Sequence, residues 1–453
     1  MGRNYFVEEA IEHYLSSLII KPNVYVTGLL VGQFSLQRDF VVLAVQTPSK
    51  EDQNDASQIK NKQKLDSIDE EWVTEHARQV SRMLPGGLFV LGVFLITSPE
   101  FGKEAQNVLR KLIFSIEKSV MKTRLWSPTE DDVADRVALH FCSATKKIIC
   151  RTYDVRDAKS SAKPADWKYQ GGVSSSWLSL ECSIQVDILI PLPAASVSND
   201  LQKNIRDGLI NWASQIEKCI FLFNGQIKED ECEVLQGPKK SSRGIFQTMP
   251  LSVQVLTPLP LSSDDRCTAT VQVCRGSAHL KGVVKCRACI HSNKPKVKDA
   301  VQAMKRDILN TVSDRCEALF EDLVLEGTID QTAFANKTHT LPLRVFAPIA
   351  GSTVRLCDYM FRDETVGDIQ ERFLEMLDLD LEEKDFVVAE VIDKDMATSD
   401  MSQALGMDKI NREHTQDLNK STVVFKIWQN MGAVLAAACA LLATIVSLQY
   451  YMD

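Results

Sequence analysis

Residues 431–450, which read MGAVLAAACALLATIVSLQY, constrain this chain more than any other stretch, because none of the 20 carries a charge. At a helical rise of about 1.5 Å per residue the stretch is roughly 30 Å long, which matches the hydrocarbon core of a bilayer. Trp428 precedes it and Tyr450 and Tyr451 close it, and such amphipathic rings favour the membrane–water interface. A buried C-terminal helix is the alternative, but such a helix rarely needs so long an uncharged run. We therefore predict a single transmembrane helix over residues 427–451.

The orientation of this predicted span follows from its flanking charges. Lys420 and Lys426 precede it, and positive charge favours the cytosolic side of a membrane. We expect the body of the protein to face the cytosol and the chain to insert after translation as a tail anchor. The first residues, MGRNYFVEEAIEHYL, contain early acids and no apolar core, which argues against a signal peptide. The residues that represent the span are Met431, Gly432, Leu435, Leu441, Leu442, Ile445, Leu448 and Tyr450.

Charge and cysteine content exclude several functional classes. The chain of 453 residues has a net charge of −8 and no basic stripe, so we expect no nucleic-acid partner. Its 12 cysteines lie mostly in apolar runs, which is typical of reduced thiols in a cytosolic protein. The close pair Cys286 and Cys289 lacks a second pair at zinc-like spacing, so we expect neither metal nor redox chemistry there.

The N-terminal part of the chain alternates apolar strands with amphipathic helices. Ser67 and Glu70 resemble a capping box ahead of one helix, and Pro85-Gly86-Gly87 ends that helix. The apolar periodicity predicts strands at residues 24–32, 39–47, 88–96, 137–142 and 147–153, and helices at 8–18, 67–84 and 105–116. We therefore predict an α/β domain over residues 1–160, with helices flanking a mixed sheet.

A second domain of the α+β type is predicted over residues 161–390. Its strands are expected at residues 177–190, 251–256, 268–274, 279–291, 341–346 and 353–359, and its helices at 201–222, 296–325 and 365–377. Residues 391–426 contain few large apolar side chains, and we predict a flexible linker there.

The order of elements in the first domain resembles the MPN domain of metal-dependent deubiquitinases. The resemblance rests on the strand with GLLVG at residues 28–32 and on a later buried strand that enters the metal-binding motif. Registered on these strands, the glutamate position holds Tyr25, the two histidine positions hold Leu95 and Thr97, and the aspartate position holds Val108. Zinc needs imidazole, thiolate or carboxylate ligands, so the resemblance implies an MPN-like module without metal or cofactor. Such modules commonly pair with another MPN domain.

No other catalytic pattern is present in the sequence. There is no glycine-rich phosphate loop after a strand and no G-x-S-x-G nucleophile elbow. His76 lies beside the apolar stripe of a helix, where a structural role is the more common one. A Cys–His nucleophile pair stays open, because its two members need only meet in space.

The chain also resembles, nearly end to end, the family of odorant-response-abnormal protein four homologues. The matching stretches are RMLPGGLFVLGVFLI at 82–96, RTYDVRDAKSSAKPADWKYQGGVSSSWLSLEC at 151–182, KKSSRG at 239–244, KPKVKDAVQAMKRDILNTV at 294–312 and GSTVRLCDY at 351–359. The resemblance implies a non-enzymatic, single-pass protein of the endoplasmic reticulum membrane. It also implies a role in maturation and trafficking of some G-protein-coupled receptors, and anchoring of the cysteine protease specific for the ubiquitin-fold modifier.

Together these observations predict a tail-anchored adaptor whose cytosolic body binds that protease and receptor clients. Recruitment to a membrane raises the effective concentration of the partner near its substrates without new catalysis. Two alternatives remain open at this point. One is a receptor-trafficking chaperone that acts independently of the protease, and the other is a hydrolase with an unrecognised nucleophile.

Overall fold

The computed structural model describes residues 2–18, 25–35, 38–49, 65, 68–102, 104–193, 201–235, 249–257, 273–325 and 338–390. All described residues belong to one compact unit, Met1–Val391. The predicted linker and the predicted transmembrane helix lie outside the described residues. Within the described ranges, no helix combines the length and the apolar character that crossing a bilayer requires.

The described residues form three sheets and six α-helices. The strands are β1 (Asn4–Glu8), β2 (Val26–Gln33), β3 (Asp39–Gln46), β4 (Phe89–Thr97), β5 (Asp135–Cys142), β6 (Ile148–Asp154), β7 (Lys163–Pro164), β8 (Asp166–Gln170), β9 (Trp177–Pro193), β10 (Ile220–Phe223), β11 (Leu251–Leu256), β12 (Cys274–His291), β13 (Thr338–Thr340), β14 (Leu343–Pro348), β15 (Arg355–Met360) and β16 (Val387–Val388). The helices are α1 (Glu9–Ser17), α2 (Glu70–Arg82), α3 (Glu104–Thr123), α4 (Leu201–Glu217), α5 (Val297–Leu325) and α6 (Val366–Leu377). This confirms the predicted mixture of helices and mixed sheets.

The first sheet has eight strands in the order β7-β6-β5-β4-β2-β3-β1-β8. β1 is parallel to both β3 and β8, and β4 is parallel to β5. Only Ala165 separates β7 from β8, although the two strands lie at opposite ends of this order. The amide of Ala165 donates to the carbonyl of Cys150 and the amide of Asp166 donates to that of Arg3. One segment, residues 163–170, therefore joins the two edges and closes the sheet on itself.

The two faces of this sheet bury different sets of side chains, as the apolar sequence of β4 requires. On one face Phe94 and Ile96 of β4 join Ile11 and Leu15 of α1 in a buried cluster. On the other face Val93 and Leu95 join side chains of α2, α3, α6 and the third sheet. Side chains from residues 345–386 thus complete a core that begins in the first sheet.

The ends of the helices follow local capping rules. α2 begins after Asp69, whose carboxylate accepts from the amide of Trp72. The expected cap Ser67 lies outside the described residues, so the N-cap that the structure shows is two residues later. α6 has a reciprocal capping box between Thr365 and Asp368.

The second sheet has five strands in the order β10-β11-β9-β12-β13, and α4 and α5 cover one of its faces. The long strands β9 and β12 pair antiparallel along almost their whole length. The predicted helix at 201–222 is too long, because it ends at Glu217 and Ile220–Phe223 forms the edge strand β10. Leu222 instead pairs across from Gln254 of β11.

A buried carboxylate connects all three sheets. Asp307 of α5 accepts from both terminal nitrogens of Arg344 on β14, at 2.7 and 2.9 Å. It also accepts from the amides of Gly86, just before β4, and Arg287 on β12, each at 2.8 Å. Both side chains of the ion pair are 1% exposed. Since a buried carboxylate needs its full set of donors, this centre fixes α5 against each sheet at once.

Candidate functional site

The four positions predicted to have lost metal ligands lie near the end of β4. Leu95 and Thr97 are fully buried on that strand, Tyr25 is half-buried just ahead of β2, and Val108 is half-buried on α3. None of these four side chains is a good zinc ligand. Across the part of the chain that the structure describes, no three His, Cys, Asp or Glu side chains are grouped so as to hold a metal ion.

A histidine that the sequence reasoning did not single out lies beside these positions. His140 Nε2 on β5 is 2.8 Å from the hydroxyl of Thr97, and burial lowers the pKa of His140. Cys142 follows two residues later, directly opposite Thr97 on the neighbouring strand. Burial raises the pKa of this thiol, but hydrogen bonds from Thr145 and the amide of Ala144 outweigh it and lower the pKa overall. The only sequence signal was a histidine within an apolar strand.

The C-R-A-C motif does not form a local site. Cys286 and Cys289 are three residues apart on β12, so their side chains point to opposite faces of the strand. Cys286 belongs to the core under α5, whereas Cys289 belongs to the core of the first sheet. Burial raises the pKa of Cys289 to about 12, which keeps it protonated at neutral pH. The two thiols therefore cannot act together.

A cleft with a volume of about 1060 Å³ lies where the first sheet faces α5. Its walls come from the start of β4, the C-terminal half of α3, the end of β12 and the first turns of α5. This volume lies at the upper end of the range of small-molecule pockets. The lining residues include no cysteine and one histidine, His291.

Alternating arginines and aromatic rings form one wall of this cleft. Arg136 lies 4.5 Å from the ring of Phe34, which lies 5.6 Å from the ring of Phe89. The guanidinium of Arg306 lies 5.8 Å from Phe89 and 4.1 Å from Trp126. Each arginine is also held by a bidentate carboxylate, Glu117 for Arg136 and Asp132 for Arg306. The charges of this wall are therefore largely compensated within the protein.

His291 has a structural role in the same cleft. Its ring stacks on Phe40 at 3.5 Å and meets the edge of Trp177 at 5.4 Å. Burial lowers its pKa to about 4, so it is neutral at physiological pH. Its backbone amide donates to Gln33, which in turn donates to the carbonyls of Gly87 and Cys289. These contacts join the first and second sheets at the base of the cleft.

The outward surface of α3 is only partly free. Ala105, Leu109, Leu112, Ile113 and Ile116 are buried against the first sheet. Asn107, Lys111 and Lys118 remain exposed on the opposite side, and Phe114 is half-buried beneath the guanidinium of Arg110 at 5.1 Å. The free surface is thus a polar edge with one aromatic side chain.

Comparison with known proteins shows which family this chain is similar to. A family model described as ODR4-like, Odorant response abnormal 4-like, matches residues 28–388. The Protein odr-4 homolog of Homo sapiens is 53% identical over 456 residues and that of Gallus gallus is 54% identical over 454 residues, each over 100% of both chains. The Odorant response abnormal protein 4 of Caenorhabditis elegans is 22% identical over 320 residues, 69% of this chain and 64% of that protein.

Among solved structures, the UfSP from C. elegans aligns with a TM-score of 0.41 and 10% identity, over 83% of this chain and 57% of that one. The assignment of residues 1–160 to an MPN-like domain, and the domain boundary at residue 160, stay predictions. The resemblance noted in the sequence is confirmed by the full-length relatives. The chain therefore belongs to the ODR4-like (odorant response abnormal 4-like) family.

Proposed function

We propose that this protein is a non-enzymatic adaptor of the endoplasmic reticulum membrane. In this proposal it recruits the cysteine protease specific for the ubiquitin-fold modifier and supports maturation and trafficking of some G-protein-coupled receptors. The observation that carries the proposal is end-to-end similarity to odr-4 homologues, at 53–54% identity over all of both chains.

The geometry of the described residues is compatible with binding rather than catalysis. The cleft between the first sheet and α5 is lined by paired charges and stacked rings, and its histidine is engaged in packing. We assign the protease contact to residues 1–160, through the exposed edge of α3. A stable contact there should bury on the order of 1,200–2,000 Å² with a few aromatic or apolar anchors. Phe114 is the anchor that this edge offers.

The membrane part of the proposal rests on residues 427–451. A glycosylation acceptor appended after Asp453 should be modified in the lumen, while the body stays sensitive to added protease in intact microsomes. An unmodified acceptor together with a protected body would show the reverse orientation.

The partner is tested by affinity purification of the full-length protein from detergent-solubilised membranes. The protease should co-purify with the wild type and should be reduced by Lys111→Glu combined with Lys118→Glu, which reverse the charge of the α3 edge. Arg362→Glu, an exposed charge reversal outside α3, serves as the matched control. Absence of the protease from the wild-type sample would refute the adaptor role. Equal capture by both variants would refute only the assignment to α3.

The receptor role is tested separately from the protease role. If client receptors mature normally in cells that lack the protease but retain this protein, the independent chaperone is the better description. If maturation fails in both single deletions to the same extent, the two roles act through one complex.

One observation favours the hydrolase alternative, namely the lowered pKa of Cys142 beside His140 and Thr97. A Cys142→Ala variant decides it. Loss of a hydrolytic activity with unchanged protease capture would support a hydrolase, and unchanged behaviour in every assay would eliminate Cys142 as its nucleophile.

A further inference from the structure

Two cysteines face each other across the centre of the second sheet. Cys182 of β9 is directly opposite Cys286 of β12 in the antiparallel register, and both side chains lie on the face covered by α5. Directly opposed residues have Cβ atoms about 4.5–5.5 Å apart, which brings their sulfur atoms within contact distance. Both residues are buried, at 7% and 2% exposed, and the thiol of Cys286 donates to the carbonyl of Val284 at 3.9 Å.

A third sulfur atom reaches the same place from the helix above. Met304 of α5 is fully buried, and its Sδ lies 3.5 Å from the Sγ of Cys182. Apolar side chains of the same core surround this group, among them Leu180, Val284 and Ile308. Two strands and one helix therefore bring three sulfur atoms together within the apolar core of the second sheet.

The chemistry of these three side chains selects a particular kind of ion. Thiolate and thioether sulfurs are soft ligands, and such sets favour copper(I) over harder divalent ions. Structural zinc instead takes four ligands from thiolate, imidazole and carboxylate groups. A thioether is not among those ligands. We propose that Cys182, Cys286 and Met304 form a binding site for a soft monovalent metal ion of the copper(I) class.

The binding step balances without any oxidant. One copper(I) ion displaces the protons of both thiols and forms two copper–thiolate bonds, while the thioether donates a lone pair. Two protons leave, no electron is transferred, and the site gains one negative charge. Burial raises the pKa of Cys286 well above its usual range, so the ion must compete with tightly held protons. Asp307 raises this pKa further and Arg344 lowers it by less, so this nearby ion pair does not offset the added negative charge.

The test uses the full-length protein in detergent, reduced and kept under nitrogen. The metal is supplied as its bicinchoninate complex, and also through copper supplementation during expression, because the three side chains are buried. The wild type should take one copper(I) per chain more tightly than its remaining cysteines do. X-ray absorption should report sulfur ligands alone.

Three variants separate this site from the other cysteines of the chain. Cys286→Ala should abolish the tight equivalent. Met304→Leu, which keeps the volume of the side chain, should weaken it at least about tenfold, as even loss of an outer partner costs a metal site that much. Cys289→Ala is the matched control, since Cys289 is equally buried on the same strand but faces another core, and it should bind like the wild type. Circular dichroism verifies folding, and if Cys286→Ala does not fold, Met304→Leu decides alone.

Equal tight binding by the wild type, Cys286→Ala and Met304→Leu would overturn the proposal. Stoichiometric zinc in place of copper would also overturn it. So would a disulfide between Cys182 and Cys286 in protein purified under nitrogen, because those thiols would then be unavailable to a metal.

Discussion

Replacing Asp307 with alanine should destabilise the protein more than any surface substitution. The carboxylate accepts four hydrogen bonds, two from Arg344 and one each from the amides of Gly86 and Arg287. Burial opposes the charged form of Arg344, but Asp307 outweighs it and raises the pKa of the guanidinium well above its usual range. Asp307→Ala would therefore leave a buried cation unpaired, which costs about 3–5 kcal/mol. That is a large fraction of the roughly 5–15 kcal/mol by which domains are stable.

Urea unfolding followed by circular dichroism measures this loss. A double variant, Asp307→Leu with Arg344→Met, removes the unpaired charge but leaves the amide of Arg287 without its acceptor, whereas the amide of Gly86 keeps the carbonyl of Arg287 at 3.1 Å. An orphaned amide costs about 1–3 kcal/mol, so the double variant should recover most of the loss but not all of it. Glu231→Gln, which removes an exposed carboxylate between Lys296 and Lys298, should leave the midpoint unchanged within error. If Asp307→Ala shifts the midpoint no more than Glu231→Gln does, the reasoning about this centre is wrong.

Further predictions concern pH and close packing. Burial lowers the pKa of His76 to about 4. The folded state then binds fewer protons than the unfolded state below an ordinary histidine pKa of about 6.5, so this side chain alone should lower the free energy of unfolding by on the order of 2 kcal/mol from pH 7 to pH 5. His291, whose pKa is also lowered to about 4, should add a similar loss. His76→Gln should remove its own part of the dependence in urea titrations at both pH values, and a wild-type curve that already lacks it would contradict the assignment. Gly86→Ala would place a Cβ 2.2 Å from the carbonyl oxygen of Ala303, and should destabilise by about 1–3 kcal/mol. Gly282→Ala, whose nearest neighbour would be 3.9 Å away, is the control, and equal midpoints for the two would exclude the clash.

The sequence predicted the elements better than their pairing. Local periodicity predicted the helices around Ala105–Ile116 and Val297–Cys316 and the hairpin near Gly351. Such a pattern lies entirely within one stretch of the chain. The sequence analysis did not predict β1, because five residues are too few to show a clear periodicity. Parallel pairing with β3 and β8 holds this strand in the sheet. Contacts between residues far apart in sequence leave no local signal.

The buried ion pair of Asp307 and the pairing of Cys182 with Cys286 could not be predicted from the sequence either. Asp307 is one of many charged residues of α5, several of them buried, and its partners Gly86 and Arg344 are distant in sequence. The pairing of Cys182 with Cys286 depends on the register of β9 and β12, which no spacing in the sequence encodes. The cysteine spacing instead suggested the pair with Cys289, whose side chain points the other way.

The closure of the first sheet by residues 163–170 determines when this sheet can be completed during synthesis of the chain. β1 leaves the ribosome first, yet one of its two neighbours, β8, ends at Gln170. The N-terminal strand must therefore stay unpaired on that side while all the strands between are made, so this sheet has many contacts of high sequence separation and should form slowly. Once Asp166–Gln170 has paired with β1, the sheet has no long unpaired edge that another chain could bind. An unfinished chain is thus the form most exposed to aggregation, and the segment that ends this exposure is a short strand in which Trp167 and Tyr169 alternate with polar residues.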